Sequence, residues 1–488
     1  MLKNLMNLFN KYYISLMFSS VAALLYIAVV VLGIKMALIL SLIPFILAIV
    51  IILLNYPQVA LISAFILNYF IMGLTRYIDF KAGAVNLIVV GTCLVLILLK
   101  SLVRKTNTSS LNNFLVLFLS IGVFIHIIYL FRPIQPLLPW FLHSGINVIY
   151  PLITVISIQI FFKTENGMKY FMIIWGILTF FGAVKGWYQY SRGFDSYEWR
   201  WLLNGGSVTH FINSGVRYFS FFTDAAAYGT SMALSMVCFA FCTLYEKHWL
   251  LKIFYIGVTF CGLYGLLISG TRSAFAVPAV AILVFVFLMR KWTLIIISLT
   301  LMISAFTFLR YTDIGDSNRF ISRTRTATRW ETDPSFQVRM QNQETLRKVM
   351  SDYPFGIGLG LSNHRGARWN QIPTPAKYAT DSWLVAIWVE MGEPGLVFFL
   401  LMCGSIILSG SYILLHYIRD PELIGYLSAF IATYTGGIAG AYSNEVLGFP
   451  NTFLIYGCIA FVFIGKELNC EITERKKRGK KWKLFNII

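Results

Sequence analysis

The chain carries little charge for its length, and little of that charge is acidic. Charged residues make up 12% of the 488 positions, hydrophobic residues make up 58%, and the mean hydropathy is +0.71. A soluble globular protein is excluded, because its surface would be far too apolar for water. The composition predicts an all-α, polytopic membrane protein instead.

Cysteine and histidine are scarce outside the apolar segments. The seven cysteines all lie in predicted spans or in the C-terminal tail, so no disulfide framework is expected in an outer loop. Of the six histidines, only His210 and His364 lie clearly in the long outer loops. We therefore expect no metal site, and no pattern in the chain calls for a cofactor.

Long apolar runs are abundant. Runs near the ~20 residues that a helix needs to cross a bilayer predict about fourteen spans. The first run is too long for a removable signal peptide, so we take it as a retained span. The runs lie at 13–33, 36–54, 58–75, 82–99, 114–131, 145–162, 170–188, 225–244, 251–269, 274–289, 293–309, 395–415, 422–440 and 452–466.

Basic residues in the short loops predict that both termini are cytoplasmic, because such loops carry the excess of lysine and arginine. The basic tail at 475–483 then needs only anionic lipid head groups as its partner, and nucleic acid is not expected. Two long segments fall outside, 189–223 and 310–380. The second has nine arginines and two lysines against six carboxylates. Arginine in such excess favours bidentate recognition of phosphate or carboxylate.

Five regions follow from these patterns. Spans and the first part of an outer loop are expected at 1–204, and further spans at 205–309. A large arginine-rich loop is expected at 310–382, the last spans at 383–468, and the basic tail at 469–488. Within the large loop, apolar side chains at roughly helical spacing predict a helix from about Phe336 to Ser351.

Two arginines lie at predicted span ends. Arg217 precedes the span at 225–244, and Arg272 lies in the very short turn Ser269-Gly-Thr-Arg-Ser273. Either arginine fits snorkelling to lipid phosphate. The turn around Arg272 also offers backbone N–H groups and the hydroxyls of Ser269 and Thr271, which together suit a pyrophosphate.

Several acidic residues allow two interpretations. Asp224 fits an N-cap for the helix behind it. Asp381 and Ser382 both fit a cap for the next helix, and Asp381 equally fits a general base facing the arginines. Glu390 and Glu393 flank Gly392 where an apolar helix should break, and such a break often lines a functional cavity.

The glycine-rich run at 355–360 is not interpreted as a nucleotide loop. It follows a predicted helix instead of a strand, and it lacks the Lys-Ser/Thr ending.

The order of these features resembles the O-antigen ligase and polymerase family over about residues 205 to 400. The resemblance is carried by Arg217 with the aromatic-Asp segment behind it, the Ser269-Gly-Thr-Arg-Ser273 turn, Arg339 at the start of a helix, Asp352-Tyr-Pro-Phe-Gly-Ile-Gly358, Asp381-Ser-Trp-Leu and Glu390-Met-Gly-Glu-Pro-Gly-Leu396. The ligases have His-Asn where this chain has Asp381-Ser382. An acidic residue there is more similar to the polymerases.

The resemblance implies an inverting, metal-independent glycosyltransferase of the bacterial inner membrane with its active site in the periplasm. Its substrates would be undecaprenyl-pyrophosphate-linked glycans, and a flippase and a chain-length regulator of the same pathway would be partners. Arg217 and Arg272 would hold the donor pyrophosphate, with Arg339 as a third candidate and Asp381 as the base. His364 and Glu390 complete the candidates for substrate contact. Aromatic residues of the outer loops would offer faces to sugar rings, although each equally fits an interfacial anchor: Trp199, Trp201, Trp330 and Trp369.

Two other functions remain open at this stage. A ligase would transfer finished chains to the lipid A core. A flippase or exporter of lipid-linked sugars would also use cationic residues, but we expect it to bury charge deep in both halves of the chain. The first 180 residues are almost bare of charge in their spans, with Arg76, Asp79 and Lys81 in a single loop.

Overall fold

The computed structural model describes most of the chain beyond residue 50. The described residues are 51–53, 55–80, 82–103, 109–133, 135–212, 215–290, 292–315, 322, 325, 334–362, 366, 369, 378–442 and 444–478. The chain divides into two compact units, residues 1–60 and 61–488. All of the candidate site residues belong to the second unit.

The described chain is almost entirely helical. In chain order the helices are α1 (Pro57–Leu74), α2 (Ala82–Val103), α3 (Phe114–Leu130), α4 (Leu137–Ser144), α5 (Tyr150–Phe161), α6 (Glu165–Arg192), α7 (Ser196–Trp201), α8 (Ser207–His210), α9 (Ala225–Tyr245), α10 (Trp249–Ser269), α11 (Ala276–Leu288), α12 (Trp292–Tyr311), α13 (Pro334–Met350), α14 (Trp383–Tyr417), α15 (Pro421–Gly440), α16 (Asn451–Phe463) and α17 (Gly465–Lys477).

Short connecting elements complete the described structure. Two-residue strands β1 (Phe211–Ile212) and β2 (Gly215–Val216) pair antiparallel in a small hairpin. A 3₁₀ turn at Ser109–Leu111 precedes α3, and another at Arg272–Phe275 leads into α11. π-Helical turns at Gly145–Ile149 and Leu202–Gly206 join α4 to α5 and α7 to α8.

A polytopic α-helical membrane protein is confirmed. Among the described residues, eight helices are long and apolar enough to cross a bilayer, and α16 with α17 makes a ninth if that bent pair is one span. Every apolar run predicted from residue 58 onward overlaps a helix. The runs at 13–33 and 36–54 lie mostly outside the described residues, so the total of fourteen stays a prediction.

Helix α16 is the centre of the bundle. All thirteen of its residues are buried, as expected for a helix that is apolar on every side. Phe65 of α1 stacks on Phe453 with 4.5 Å between the ring centroids, and Phe171 of α6 packs 5.4 Å from Phe461. The hydrophobic centre therefore joins helices from the first and last thirds of the sequence.

Helix α9 separates two polar ends of the bundle. Its 21 residues span about 31 Å, close to the thickness of a bilayer core. At its C-terminal end, Lys169 Nζ lies 3.3 Å from a carboxylate oxygen of Glu246 and 2.7 Å from one of Glu422. At its N-terminal end lies the segment 215–224, with Arg217. Which end faces the cytoplasm stays a prediction.

Helix α14 breaks where the sequence predicts. Gly392 has φ 71°, and a Cβ at this position would overlap the carbonyl oxygen of Pro354. Pro394 has no N–H and cannot donate to the carbonyl one turn earlier. The break therefore leaves carbonyl oxygens at the end of the first half of α14 without their helical donors.

The glycine-rich loop supplies the missing donors. Ile357 N–H donates to Val389 O at 2.9 Å, and Gly358 N–H donates to Glu390 O at 3.1 Å. The loop and the broken helix thus satisfy each other, and the loop is held against α14 at the polar end that contains Arg217.

Helix α13 confirms the predicted helix in the large loop, which was placed at about Phe336 to Ser351. It buries Leu346 and Met350 in a cluster with Ile357 and Val389. This packing places α13 beside the first half of α14.

Candidate functional site

The hairpin at residues 211–216 positions Arg217. The Arg217 N–H donates to His210 O at 2.9 Å, which extends the hairpin. The guanidinium donates to Thr209 O at 3.1 Å and to Thr271 Oγ1 at 2.9 Å. Its buried Nε–H has no acceptor among the described residues. Arginine carries five N–H donors, so this side chain is fixed in place with donors to spare.

The turn before Arg272 is built by its own hydroxyl groups. Ser269 Oγ donates to Leu266 O at 2.7 Å and accepts from Thr271 N–H at 3.2 Å. Thr271 Oγ1 donates to Ala225 O at 2.8 Å while it accepts from Arg217. Both hydroxyls were predicted to face a ligand. The structure buries both, because each is needed to fix the turn.

Three of the predicted arginines share one electrostatic neighbourhood. Burial lowers the pKa of Arg217; the charge of Asp224 raises this pKa, and the positive charges of Arg272 and Arg339 lower it further. Arg272 begins the 3₁₀ turn directly after Thr271, and Arg339 lies on α13. Like charges brought together in a partly buried site favour an anion as ligand.

Asp224 is the N-cap of α9, which confirms the structural interpretation of this residue. Its carboxylate accepts from the N–H groups of Ala226 at 2.8 Å and Ala227 at 2.9 Å. The negative charge also complements the positive end of the helix. Asp224 therefore fixes the helix start just behind Arg217.

His210 is a buried neutral histidine beneath the same helix start. Its Nε2 accepts from Ala225 N–H at 3.2 Å, and its Nδ1 lies 2.8 Å from Gly206 O. Trp201 and Phe219 pack edge to face against the ring. Burial lowers the pKa of His210 to about 4, and the neutral ring is what lets Nε2 accept a hydrogen bond.

Asp381 and Ser382 have different roles. Ser382 is the N-cap of α14, and its side chain accepts from Val385 N–H at 3.5 Å. Asp381 is half-buried and has φ 49°, an uncommon conformation for a residue with a side chain. Its carboxylate makes no hydrogen bond or ion pair within the part of the chain that the structure describes. Such strain clusters at functional sites.

A turn near the C-terminus links Asp381 to the arginine end. Thr380 Oγ1 donates to Glu445 Oε1, and Asn444 Nδ2 donates to Ser273 Oγ. Ser273 directly follows Arg272, and Thr380 directly precedes Asp381. Asn444 and Glu445 were not picked out from the sequence. They could have been found as a polar pair in the short connection between two apolar runs.

Glu390 is an anchor for the glycine-rich loop. Its carboxylate accepts from Gly360 N–H at 3.0 Å and from Ser362 Oγ at 2.5 Å, and it pairs with His143 Nδ1 at 2.7 Å. The predicted cavity is present: Glu390 lines a space of about 100 Å³ with Glu445. Because protein donors occupy both carboxylate oxygens, substrate binding by Glu390 itself is not favoured.

Two residues of the first third hold the same loop, and neither was picked out from the sequence. The Arg132 guanidinium donates to Phe355 O at 2.9 Å and to Gly356 O at 3.0 Å. The Gln135 amide donates to Leu359 O at 3.0 Å and accepts from Leu359 N–H at 2.8 Å. The loop's backbone groups are thus committed to protein partners, as expected for a loop that does not bind nucleotide.

A groove of about 1410 Å³ runs between α13 and α14. Gln337, Gln341 and Arg347 line it from α13, and Trp388 and Leu396 line it from α14. It joins side chains of the loop region to the apolar surface of a predicted span.

Helix α13 presents a different flank to the residues before Asp381. Asn342 Nδ2 donates to Ala379 O at 3.4 Å. Arg339 lies one turn before Asn342 on that flank, because residues three apart are neighbours on a helix. Arg339 also lies one turn before Gln343, which lines the groove, so Arg339 is at the edge of the groove.

The remaining predicted contacts have mixed outcomes. His364 and Trp330 lie outside the described residues. Trp201 is occupied as the partner of His210 and of Arg76, whereas Trp199 and Trp369 are exposed. The last two therefore stay candidates for contact with sugar rings.

Part of this region matches a known protein family. Residues 257–400 match the profile of a family described as O-antigen ligase, a stretch that includes Arg272, Arg339, Asp381 and Glu390. No curated protein matched the chain.

Proposed function

We propose that this chain is a polysaccharide polymerase, on the basis of the match of residues 257–400 to the O-antigen ligase family. It would be an inverting glycosyltransferase that joins repeat units carried on undecaprenyl pyrophosphate. The observation that carries the proposal is the cluster of Arg217, Arg272 and Arg339 at the same end of the bundle as Asp381, whose carboxylate has no partner among the described residues.

The arginines supply the leaving-group chemistry. When the bond between the anomeric carbon and the phosphate oxygen breaks, the pyrophosphate leaves with the bonding electrons and its negative charge grows. Preorganised cations at that position stabilise the transition state more than the ground state. Arg217, fixed by Thr209 and Thr271 with donors to spare, suits this task.

Asp381 supplies the base. The attacking sugar hydroxyl must lose its proton as its oxygen bonds to the anomeric carbon, and a carboxylate within hydrogen-bond reach accepts that proton. Ser382 caps α14, which leaves the Asp381 carboxylate available. In the proposed reaction the growing chain moves from its lipid pyrophosphate to the non-reducing end of one lipid-linked repeat unit.

The groove between α13 and α14 fits the glycan part of the acceptor. Its side-chain amides at Gln337 and Gln341 and the indole of Trp388 suit a polyhydroxylated ligand, while Leu396 suits the lipid. Metal ions are not part of the proposed mechanism, because the arginines take the role of the cation.

A ligase is the second candidate, on the strength of the family description. Asp381-Ser382 in place of His-Asn favours the polymerase. We place the enzyme in the bacterial inner membrane with this end in the periplasm, where a flippase would deliver its substrate and a chain-length regulator would be a partner.

The proposal is tested with purified protein and a lipid-pyrophosphate-linked repeat unit in the presence of a chelator. A ladder of products on a gel is expected. A single product that forms only when lipid A core is added would replace the polymerase with the ligase. Movement of the lipid between leaflets without any new glycosidic bond would replace it with a transporter.

A further inference from the structure

Arg76 lies just beyond the end of α1 and contacts the segment that follows Arg217. Its guanidinium donates to Ser220 O at 3.4 Å, to Thr223 O at 2.9 Å and to Phe222 O. These carbonyls belong to the six-residue stretch between Arg217 and the helix cap Asp224. One side chain therefore gathers the backbone of the segment that carries the proposed leaving-group arginine.

The guanidinium is also enclosed by aromatic rings. It lies 4.6 Å from the centroid of Trp201 and 4.3 Å from that of Phe219. Burial lowers the pKa of Arg76 to about 10, so the side chain remains charged at neutral pH. Both terminal nitrogens of Arg76 donate to carbonyls, and its Nε–H is buried without an acceptor among the described residues. Because rings also cover the faces of the guanidinium, Arg76 is placed to hold protein and not to touch substrate.

The stretch that Arg76 holds includes a strained residue. Ser220 has φ 50°, a strained conformation for a residue with a side chain. Its N–H donates to Gln189 Oε1 at 2.8 Å and its Oγ donates to Gly182 O at 2.7 Å. With Arg76 on the carbonyl, every polar group of this residue is fixed. Because several hydrogen bonds fix this turn, it determines the direction in which the chain leaves Arg217.

Helix α1 brings Arg76 to this place by close packing. A Cβ on Gly73 would lie 2.7 Å from Phe221 O, so only glycine lets the stretch lie against the end of the helix. Gly73 and Arg76 are three residues apart and thus act from one side of the helix end.

We propose that Arg76 is a positioning residue that holds the 218–224 segment so that Arg217 meets the lipid pyrophosphate in its productive geometry. The inference rests on the proposed function, since it assumes that Arg217 binds the pyrophosphate. It assigns a role in the active site to a part of the chain outside the matched residues 257–400.

The test measures binding of a probe, so that variants without transferase activity still give a result. Farnesyl pyrophosphate serves as a short polyprenyl pyrophosphate probe, with the purified full chain in detergent. The variant Arg76→Ala is expected to bind it about 10- to 100-fold more weakly, because Arg217 then loses its charge-assisted hydrogen bonds to the pyrophosphate. Arg192→Ala is the matched control, because Arg192 is exposed at the same end of the bundle.

A double variant separates positioning from general destabilisation. If Arg76 acts through Arg217, then adding Arg76→Ala to Arg217→Ala weakens binding by no more than about twofold. Losses that multiply in the double variant would overturn the proposal. Binding is compared only between preparations that are monodisperse on size exclusion and melt cooperatively.

Arg76→Lys covers the case in which Arg76→Ala does not fold. Lysine keeps the charge and the stem but lacks the planar fork that reaches several carbonyls, so we expect at least a tenfold loss of binding. Binding by Arg76→Lys equal to wild type would overturn the inference alone. Failure of wild-type protein to bind the probe would instead count against the proposed pyrophosphate site itself.

Discussion

Arg217 and Glu390 lie in two parts of the site that were both chosen from the sequence for the same reason, a charge at the edge of an apolar segment. The fold gives the two charges different numbers of hydrogen-bond partners. Glu390 receives donors from Gly360, Ser362 and His143 on its two carboxylate oxygens. Arg217 meets two acceptors, and its Nε–H is left without one among the described residues.

The difference shows how a charge at a membrane boundary can serve either stability or chemistry. A buried ion needs partners, and the number it obtains from its own chain decides how much interaction is left for a ligand. Glu390 is saturated and holds a loop. Arg217 is only partly satisfied and lies near two further cations, so an anion would complete it.

The largest expected effect is at Asp381. Asp381→Asn keeps the shape of the side chain and tolerates the left-handed backbone, but it cannot accept a proton. We expect transfer to slow by about 100- to 10,000-fold, measured as turnover of the lipid-linked repeat unit. Asp79→Asn, an exposed aspartate between α1 and α2, should leave turnover unchanged. Full activity of Asp381→Asn would remove this residue from the chemistry.

Arg272 should come next. Arg272→Ala is expected to lower kcat by about 100- to 1,000-fold, because a cation that stabilises the departing pyrophosphate is lost. Arg272→Lys should recover part of the loss, since the charge returns without the planar fork. Expression and melting temperature are measured alongside. A normal kcat in Arg272→Ala would show that Arg272 does not share the role proposed for Arg217, which is to stabilise the leaving pyrophosphate.

Glu390→Gln should lower stability more than activity, unlike the two variants above. The variant places an amide nitrogen against N–H or O–H donors and removes the carboxylate charge beside His143, which we expect to cost about 1–3 kcal/mol of stability. Activity per folded molecule should fall by less than about tenfold. A kcat loss as large as that of Arg272→Ala, with an unchanged melting temperature, would contradict the anchoring role.

The smallest effect concerns pH. The pKa of His210 is lowered by burial from 6.5 to about 4 in the folded protein, so the unfolded chain binds more protons between these values. This contribution is fully present above about pH 6.5 and is lost as the pH falls to about 4.

The variant His210→Gln isolates that contribution. Over the same pH range its melting temperature should fall less steeply than that of wild-type protein, because glutamine does not titrate. Parallel curves for the two proteins would show that protonation of His210 does not loosen the Arg217 segment.

Much of the fold could be predicted because it depends on local composition. Long apolar runs become helices in a bilayer, since no other arrangement satisfies their backbone groups. The break at Gly392 and the cap at Asp224 were predictable for the same reason: glycine, proline and aspartate act on backbone groups within one turn. The burial of the Thr271 hydroxyl was not predictable, because its partners Ala225 and Arg217 are distant in the sequence.

The sequence by itself determined the class of protein, the positions of most helices and the candidate cations, because hydrophobicity and capping are properties of neighbouring residues. Only the tertiary structure decided which charges are satisfied. It paired Glu390 with His143, brought Asn444 to Ser273 and placed Arg76 on the carbonyls behind Arg217. These contacts join residues 144 to 247 positions apart, and no local pattern determines how such distant groups meet.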